Sequence, residues 1–356
     1  MKHYHPLKVQ NVVKETPDTV CVSFEVPEDL SDLYKYAQGQ HVGLRKDIGG
    51  EDVRRSYSIA SSVNDNQLDI AIRKVDGGLF STFANDELKV GDVLEVFPPI
   101  GNFRTELDPN AAKNYVAFAA GSGITPIISI IKTILETEPK STFTLYFGNR
   151  DSRSIIFKNR LSDLKNRYMD RFTVFHFLSR ESNDIEIYNG RLNADKVRDV
   201  VSRMTPVDGI DDAFICGPGT MIEEVSAVLS EMGLDQSRIH HEHFGVDKSV
   251  AAQAPAKPSK VQEGDVDLTV IRDGESFNMK IGKSEKPLLD TIADNGVDVP
   301  FSCKGGVCCT CRAKVVKGDV EMVLNYGLED EDVKKGFILT CQSYPVSDDI
   351  VLDFDA

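Results

Sequence analysis

The sequence predicts a multi-domain chain: an antiparallel β-barrel, then an α/β domain on a parallel sheet, then a small α+β domain. Three observations predict it. Over residues 1–108, short alternating runs follow one another with turn residues between them, the rhythm of a closed barrel. Over 109–245, apolar strands alternate with amphipathic helices, which implies a parallel sheet covered on both faces. Residues 246–263, VDKSVAAQAPAKPSKVQE, offer little to bury and read as a solvated linker. It tethers the last domain, 264–356.

Each element has its own signal. In the barrel, alternation is visible at 7–13, 19–26 and 67–73, and a helix near 80–88 follows the pair Gly77-Gly78. The parallel sheet is expected at 115–120, 143–147, 172–178 and 213–216, with helices near 125–135, 154–168, 194–203 and 221–232. The last domain opens with strands at 266–272 and 276–281 joined through Asp273-Gly274, a strong hairpin signal. A helix near 288–295 follows, then strands at 313–316, 337–341 and 350–354.

Composition excludes several classes. A net charge of −15 argues against nucleic-acid binding, which needs a basic surface. From 264 onward there are 18 Asp and Glu against 10 Lys and Arg, a net −8. Plain solvation accounts for such a face, and so does steering towards a basic partner. The uncharged run 115–131 is broken by Gly121, Gly123 and Pro126, so no membrane span is expected. Met1-Lys-His-Tyr-His-Pro lacks an apolar h-region, and seven cysteines in a chain this long form no disulfide framework. A reducing, cytoplasmic setting is expected.

The chemistry begins at Phe301-Ser-Cys-Lys-Gly-Gly-Val-Cys-Cys-Thr-Cys311. Cys303, Cys308 and Cys311 have C-x4-C-x2-C spacing, and Cys341 supplies a fourth thiol, the plant-type pattern for a [2Fe–2S] cluster. Gly305 and Gly306 suit a tight loop that aims backbone N–H groups at the sulfurs. Zinc is the rival reading, but its sites pair cysteines at two separated knuckles. Cys309 reads as a bystander.

Two further pairs of motifs point to nucleotides. Arg55-Ser-Tyr-Ser58 ends a barrel strand, and Gly77-Gly-Leu-Phe-Ser81 opens a helix whose N-terminal N–H groups form an anion site. Together they suggest a flavin, with its pyrophosphate at the helix and its ring against Tyr57. Gly121-Ser-Gly-Ile-Thr-Pro126 follows a strand and opens a helix, with Gly121 and Gly123 allowing close approach to a phosphate. The third glycine of G-x-G-x-x-G is missing, so an ordinary Rossmann dehydrogenase is disfavoured. Cys216-Gly-Pro-Gly219 ends a later strand and is expected to face the same crevice.

R-x-Y-S, G-G-x-x-S, G-S-G-I-T-P, C-G-P and the cysteine set, in this order, resemble the ferredoxin–NADP reductase superfamily fused to a plant-type ferredoxin. Over its length the chain is similar to reductase subunits of multicomponent oxygenases, those of the phenylacetyl-CoA 1,2-epoxidases above all. The resemblance implies an FAD barrel, an NADP-binding α/β domain and a ferredoxin-like β-grasp domain. It implies that Arg55 binds the flavin phosphates, Tyr57 packs on the isoalloxazine and Ser58 approaches its N5. Gly77, Gly78 and Ser81 would hold the pyrophosphate. Gly121, Gly123, Gly217 and Pro218 would line the NADPH site, with Thr125 and Cys216 flanking the nicotinamide. Phe244 would cover the flavin's other face. Ser179-Arg180 matches relatives that prefer NADPH, with Arg150 assisting, because Arg makes bidentate contact with a phosphate. In His240-His-Glu-His-Phe244, a metal reading through His241 and His243 competes with a strand end carrying solvated histidines.

A nicotinamide delivers two electrons as hydride and the cluster accepts one, so a flavin between them serves as converter. The expected path is NADPH to FAD to [2Fe–2S] to the oxygenase subunit of a multicomponent di-iron enzyme. Reductases of ring hydroxylases, desaturases, alkane or steroid hydroxylases, and a redox-sensing module, are the alternatives.

Overall fold

A computed structural model describes residues 3–244, 264–282 and 286–356; the expected linker at 246–263 lies outside them. Six antiparallel strands come first: β1 (His5–Thr16), β2 (Thr19–Glu25), β3 (His41–Ile48), β4 (Glu51–Ser58), β5 (Leu68–Arg73) and β6 (Val93–Ile100). They lie in the order β4-β3-β6-β1-β2-β5, and an antiparallel bridge from Ile59 to Ile70 brings the two edges together. Alternation sets what lies inside: Leu7 and Val9 on β1 are fully buried while Lys8 and Gln10 face out. The helix α1 (Leu79–Asp86) lies over one end and contributes Phe80 and Phe83 to the core. β2 is buried on both faces because Cys21 shares a core with the second domain.

That second domain is a parallel sheet of β7 (Asn114–Ala120), β8 (Thr142–Asn149), β9 (Phe172–Leu178), β10 (Asp212–Cys216) and β11 (Ile239–Glu242). Helices α2 (Ile124–Thr137), α3 (Lys158–Arg167), α4 (Ala194–Met204) and α5 (Gly219–Glu231) connect them. The order is β11-β10-β7-β8-β9, so the winding reverses between β7 and β10 and opens a crevice at their carboxyl ends. The fifth strand, β11, is the edge strand whose end carries the histidines. The expected helix at 154–168 starts later, at Lys158. Asp151 caps a 3-10 turn at Ser152–Ser154, and Phe157 adopts φ 59°, which interrupts the helix.

In the last domain, β12 (Asp265–Arg272), β13 (Glu275–Gly282), β14 (Arg312–Lys317), β16 (Phe337–Leu339) and β18 (Asp349–Asp353) form one sheet, ordered β13-β12-β18-β14-β16. β15 (Val320–Met322) pairs separately with β17 (Ser343–Pro345). β12 runs parallel to β18, and the helix α6 (Leu288–Asp294) packs Leu288, Leu289 and Ile292 on the sheet, a β-grasp arrangement. Asp273 and Gly274 take φ of 57° and 76°, the turn the hairpin needs. Cys341 sits in a 3-10 turn, Thr340–Gln342, rather than in the strand expected to contain it. Among the described residues no helix is long and apolar enough to cross a membrane.

One close approach fixes the crevice. A Cβ on Gly123 would fall 2.0 Å from the Cys216 carbonyl oxygen, so the loops after β7 and β10 touch backbone to backbone. Gly123→Ala is expected to destabilise the protein by about 1–3 kcal/mol through overpacking. Gly209→Ala, where a Cβ meets open space, serves as the neutral control in thermal unfolding.

Candidate electron-transfer site

The R-x-Y-S strand looks two ways. Tyr57 turns to α1, its ring 5.7 Å from Phe80, and burial pushes its hydroxyl pKa up. Tyr57 therefore adjoins the helix opened by Gly78, as the sequence motifs required. Arg55 projects outward, its guanidinium donating to the Arg54 carbonyl at 2.7 Å. The alternate positions face the other domains. Ser58 donates to Glu242 Oε2 at 3.0 Å, Ser56 to the Ser302 hydroxyl at 2.9 Å, and Arg54 lies 4.0 Å over the Phe301 ring. Ser81 is committed within its own turn: its hydroxyl accepts from the Val75 N–H and donates to the Gly78 carbonyl.

At the crevice, Thr125 is buried and donates to the Ser122 carbonyl. Cys216 is fully buried; burial and the nearby Glu242 charge hold its thiol pKa well above its ordinary value. Gly217 lies close to Ala120 across the crevice. Phe244 is 47% exposed. Glu242 itself, missed by the motif search, is the carboxylate between Ser58 and His41, whose Nδ1 is 3.6 Å away. Burial opposes charge on His41, but Glu242 outweighs it and raises the ring's pKa. Of the other histidines, His241 is exposed at the strand end while His240 and His243 are half-buried. His240 pairs with Asp212 at 2.9 Å, and His243 packs on Tyr326 and is held down to about 4, first by burial. Among the described residues no three His, Cys, Asp or Glu side chains converge on one ion site.

Beside Gly121 a cavity of about 570 Å³ is lined by Arg73, Asn149, Arg150, Ser179, Arg180, Arg191 and Pro218. The Arg180 N–H donates to the Arg150 carbonyl at 2.7 Å, which sets the two arginines side by side. Asn149 is buried there with both amide atoms unpartnered, which fits a polar ligand. Arg73 and Arg191 escaped sequence reasoning because neither belongs to a motif.

The cysteines are arranged as two pairs. Cys303 neighbours Cys308, and Cys311 neighbours Cys341. Backbone N–H groups of Gly305 and Cys308 reach Cys303 Sγ at 3.3 and 3.4 Å, and that of Cys303 reaches Cys308 Sγ at 3.4 Å. Thr340 binds the Cys311 carbonyl through its N–H and hydroxyl, drawing the distant Cys341 to the loop. Two thiols for each iron fit a two-iron cluster.

The sequence matches the Oxidoreductase FAD-binding domain family over residues 6–105 and the Oxidoreductase NAD-binding domain family over 118–227. It matches the 2Fe-2S iron-sulfur cluster binding domain family over 270–346. It is 37% identical to a subunit of 1,2-phenylacetyl-CoA epoxidase from Escherichia coli (strain K12), over 100% of this chain and 99% of that protein. The chain belongs to the ferredoxin–NADP reductase superfamily, fused to a [2Fe–2S] domain. It is an NAD(P)H-dependent flavin oxidoreductase of the reductase-component type. It is also 35% identical to the ferredoxin reductase component of 3-ketosteroid-9-alpha-monooxygenase from Rhodococcus rhodochrous, over 98% and 96% of the two chains. In fold it is similar to phthalate dioxygenase reductase, with a TM-score of 0.59, 22% identity, and 99% and 98% of the two chains covered.

In this reductase the fifth thiol of the loop region, Cys309, points elsewhere: a Cβ on Gly327 would fall 2.6 Å from its Sγ. Cys341→Ser is expected to lose the cluster's iron and visible absorbance, while Cys309→Ser keeps both. Iron analysis and the absorption spectrum of the two purified variants decide it.

Proposed function

We propose that this reductase carries electrons from NADPH through FAD and a [2Fe–2S] cluster to the oxygenase subunit of a multicomponent di-iron enzyme, a phenylacetyl-CoA epoxidase of phenylacetate degradation, in the cytoplasm. The observation that carries the order is the meeting of three domains: Ser58 and His41 from the barrel, Glu242 from the parallel sheet and the Cys308 carbonyl from the cluster loop. The flavin barrel spans 1–108, the nucleotide domain 109–245 and the cluster domain 264–356. Likeness to the Escherichia coli epoxidase component along the whole chain supports the partner. The nearly equal identity to the steroid monooxygenase component favours a second reading, a reductase for another oxygenase class. The net −8 of the last domain suits a basic docking face on either partner.

When bound, the flavin supplies the conversion between hydride, two electrons at once, and the single electrons a cluster takes. The chain's own work is placement. Arg55 would bind the flavin phosphates, the N-terminus of α1 at Gly77 and Gly78, its turn braced by Ser81, would accommodate the pyrophosphate, and Tyr57 would flank the ring. Ser58 and Phe244 would line the side at which it accepts hydride. Gly121, Gly123, Gly217 and Pro218 shape the nicotinamide nucleotide's path, with Thr125 and Cys216 beside the ring. The buried Cys216 thiol remains protonated and excludes water rather than attacking. Ser179, Arg180 and Arg150, with Arg191, hold the 2′-phosphate. Cys303, Cys308, Cys311 and Cys341 would ligate the cluster.

Anaerobic NADPH is expected to bleach the flavin and then the cluster, and the reduced protein to support epoxidation when mixed with a phenylacetyl-CoA oxygenase subunit. Flavin bleaching without later cluster bleaching refutes the order of carriers. Failure with this oxygenase alongside success with a steroid oxygenase refutes the partner. Arg180→Ala is expected to raise KM for NADPH about 10- to 100-fold, the worth of a charge-assisted hydrogen bond, with NADH little affected. Steady-state kinetics with both nucleotides check it.

A further inference from the structure

His41 belongs to none of the motifs, yet it stands where the three domains meet. It lies on β3 directly across from Ser58 on β4, and its side chain is 8% exposed. Nε2 is 2.9 Å from the carbonyl oxygen of Cys308, and because a carbonyl only accepts, the ring donates. On the other side, Nδ1 faces Glu242, whose second oxygen accepts from Ser58. Room for the ring depends on Gly101, at φ 122°, where a Cβ would fall 3.0 Å from Nδ1. The ring is thus held from the hydride side while it holds the cluster loop.

We propose that His41 is a positioning residue for electron transfer from flavin to cluster, its Nε2–H fixing the Cys308 loop against the barrel while Glu242 and Ser58 fix the ring. The inference rests on the reductase reading above. Each transfer takes one electron from the reduced flavin and adds it to the oxidised cluster; His41 gains and loses nothing. Tunnelling falls exponentially with separation, so a loop released by even a fraction of its present seating slows that step and leaves hydride transfer alone. The other contacts of the dock hold the start of the loop and leave Cys308 to His41: Arg54 grips Phe301, Tyr4 donates to the Phe301 carbonyl at 3.0 Å, and Ser56 donates to Ser302.

The test uses full-length protein loaded with FAD and cluster, mixed anaerobically with NADPH and followed at flavin and cluster wavelengths. His41→Phe is expected to slow the cluster phase by about tenfold to a hundredfold, the scale of a small misplacement, with the flavin phase unchanged. His41→Gln, which keeps an N–H donor, is expected to restore most of the rate, and the cluster's EPR spectrum to show it intact in both. Ser56→Ala, which removes a neighbouring interdomain hydrogen bond, is expected to leave both phases as they are. Equal slowing of both phases by His41→Phe, an unslowed cluster phase, no rescue by Gln, or the same loss in Ser56→Ala overturns the proposal. A wild-type protein whose cluster never bleaches sinks the reductase reading itself, and this inference with it.

Discussion

A carboxylate taken out of water must be met by donors, because an unpaired buried charge costs several kcal/mol. Glu242 ends the edge strand of the parallel sheet with its side chain only 12% exposed, and its partners belong to another domain. Ser58 and His41 both come from the barrel, on neighbouring strands and in direct register. The strand that carries Glu242 is therefore tied to the flavin-binding side by the solvation of its own charge. That tie also brings the end of β11 to Ser58 and places a charge beside Cys216. The seating of the end of β11 against the barrel follows from where this one carboxylate is satisfied.

The two junctions of the barrel differ in kind. Towards the parallel sheet the junction is a shared core, with Cys21, Ala60 and Ala71 of the barrel packed among Ile127, Ile128 and Ile131 of α2. Ion pairs close its rim, Arg160 to Asp69 at 3.2 Å and Lys132 to Asp65. Towards the cluster domain the junction is polar. Arg54, 5% exposed, pairs with Asp52 at 2.8 Å and Asp298 at 3.6 Å while stacking on Phe301. Polar junctions of that sort resemble transient contacts, whereas a common apolar core binds permanently. The barrel and the parallel-sheet domain thus share one core, whereas the cluster domain meets the barrel through polar contacts.

Much of this was legible in the sequence because the signals are local. Alternation gave the barrel strands, Asp273-Gly274 gave the hairpin, and cysteine spacing gave the cluster loop. What was not legible depends on tertiary partners. β11 reads as a histidine cluster, since nothing in His240-His-Glu-His reveals that His240 will pair with Asp212 on the neighbouring strand. Arg73 and Arg191 reach the nucleotide cavity from unrelated segments. His41 sits within an ordinary strand pattern, and only the docking of a domain far along the chain gives it a role.

The glycines of Gly121-Ser-Gly123 carry a subtler lesson. Sequence reasoning gave both to a phosphate, because glycine permits close backbone approach. At Gly123 the group that approaches is the protein's own Cys216 carbonyl. The requirement for glycine is the same, but its first beneficiary is the crevice: two loops that touch this closely cannot drift, so Thr125 and Cys216 keep a fixed separation before any nucleotide arrives. Gly121, at φ 54°, is left for the ligand side, where Arg73 is the nearest neighbour a Cβ would meet. A motif of two glycines thus divides into one that builds the site and one that opens it, a distinction that spacing alone does not encode and that backbone contact makes plain.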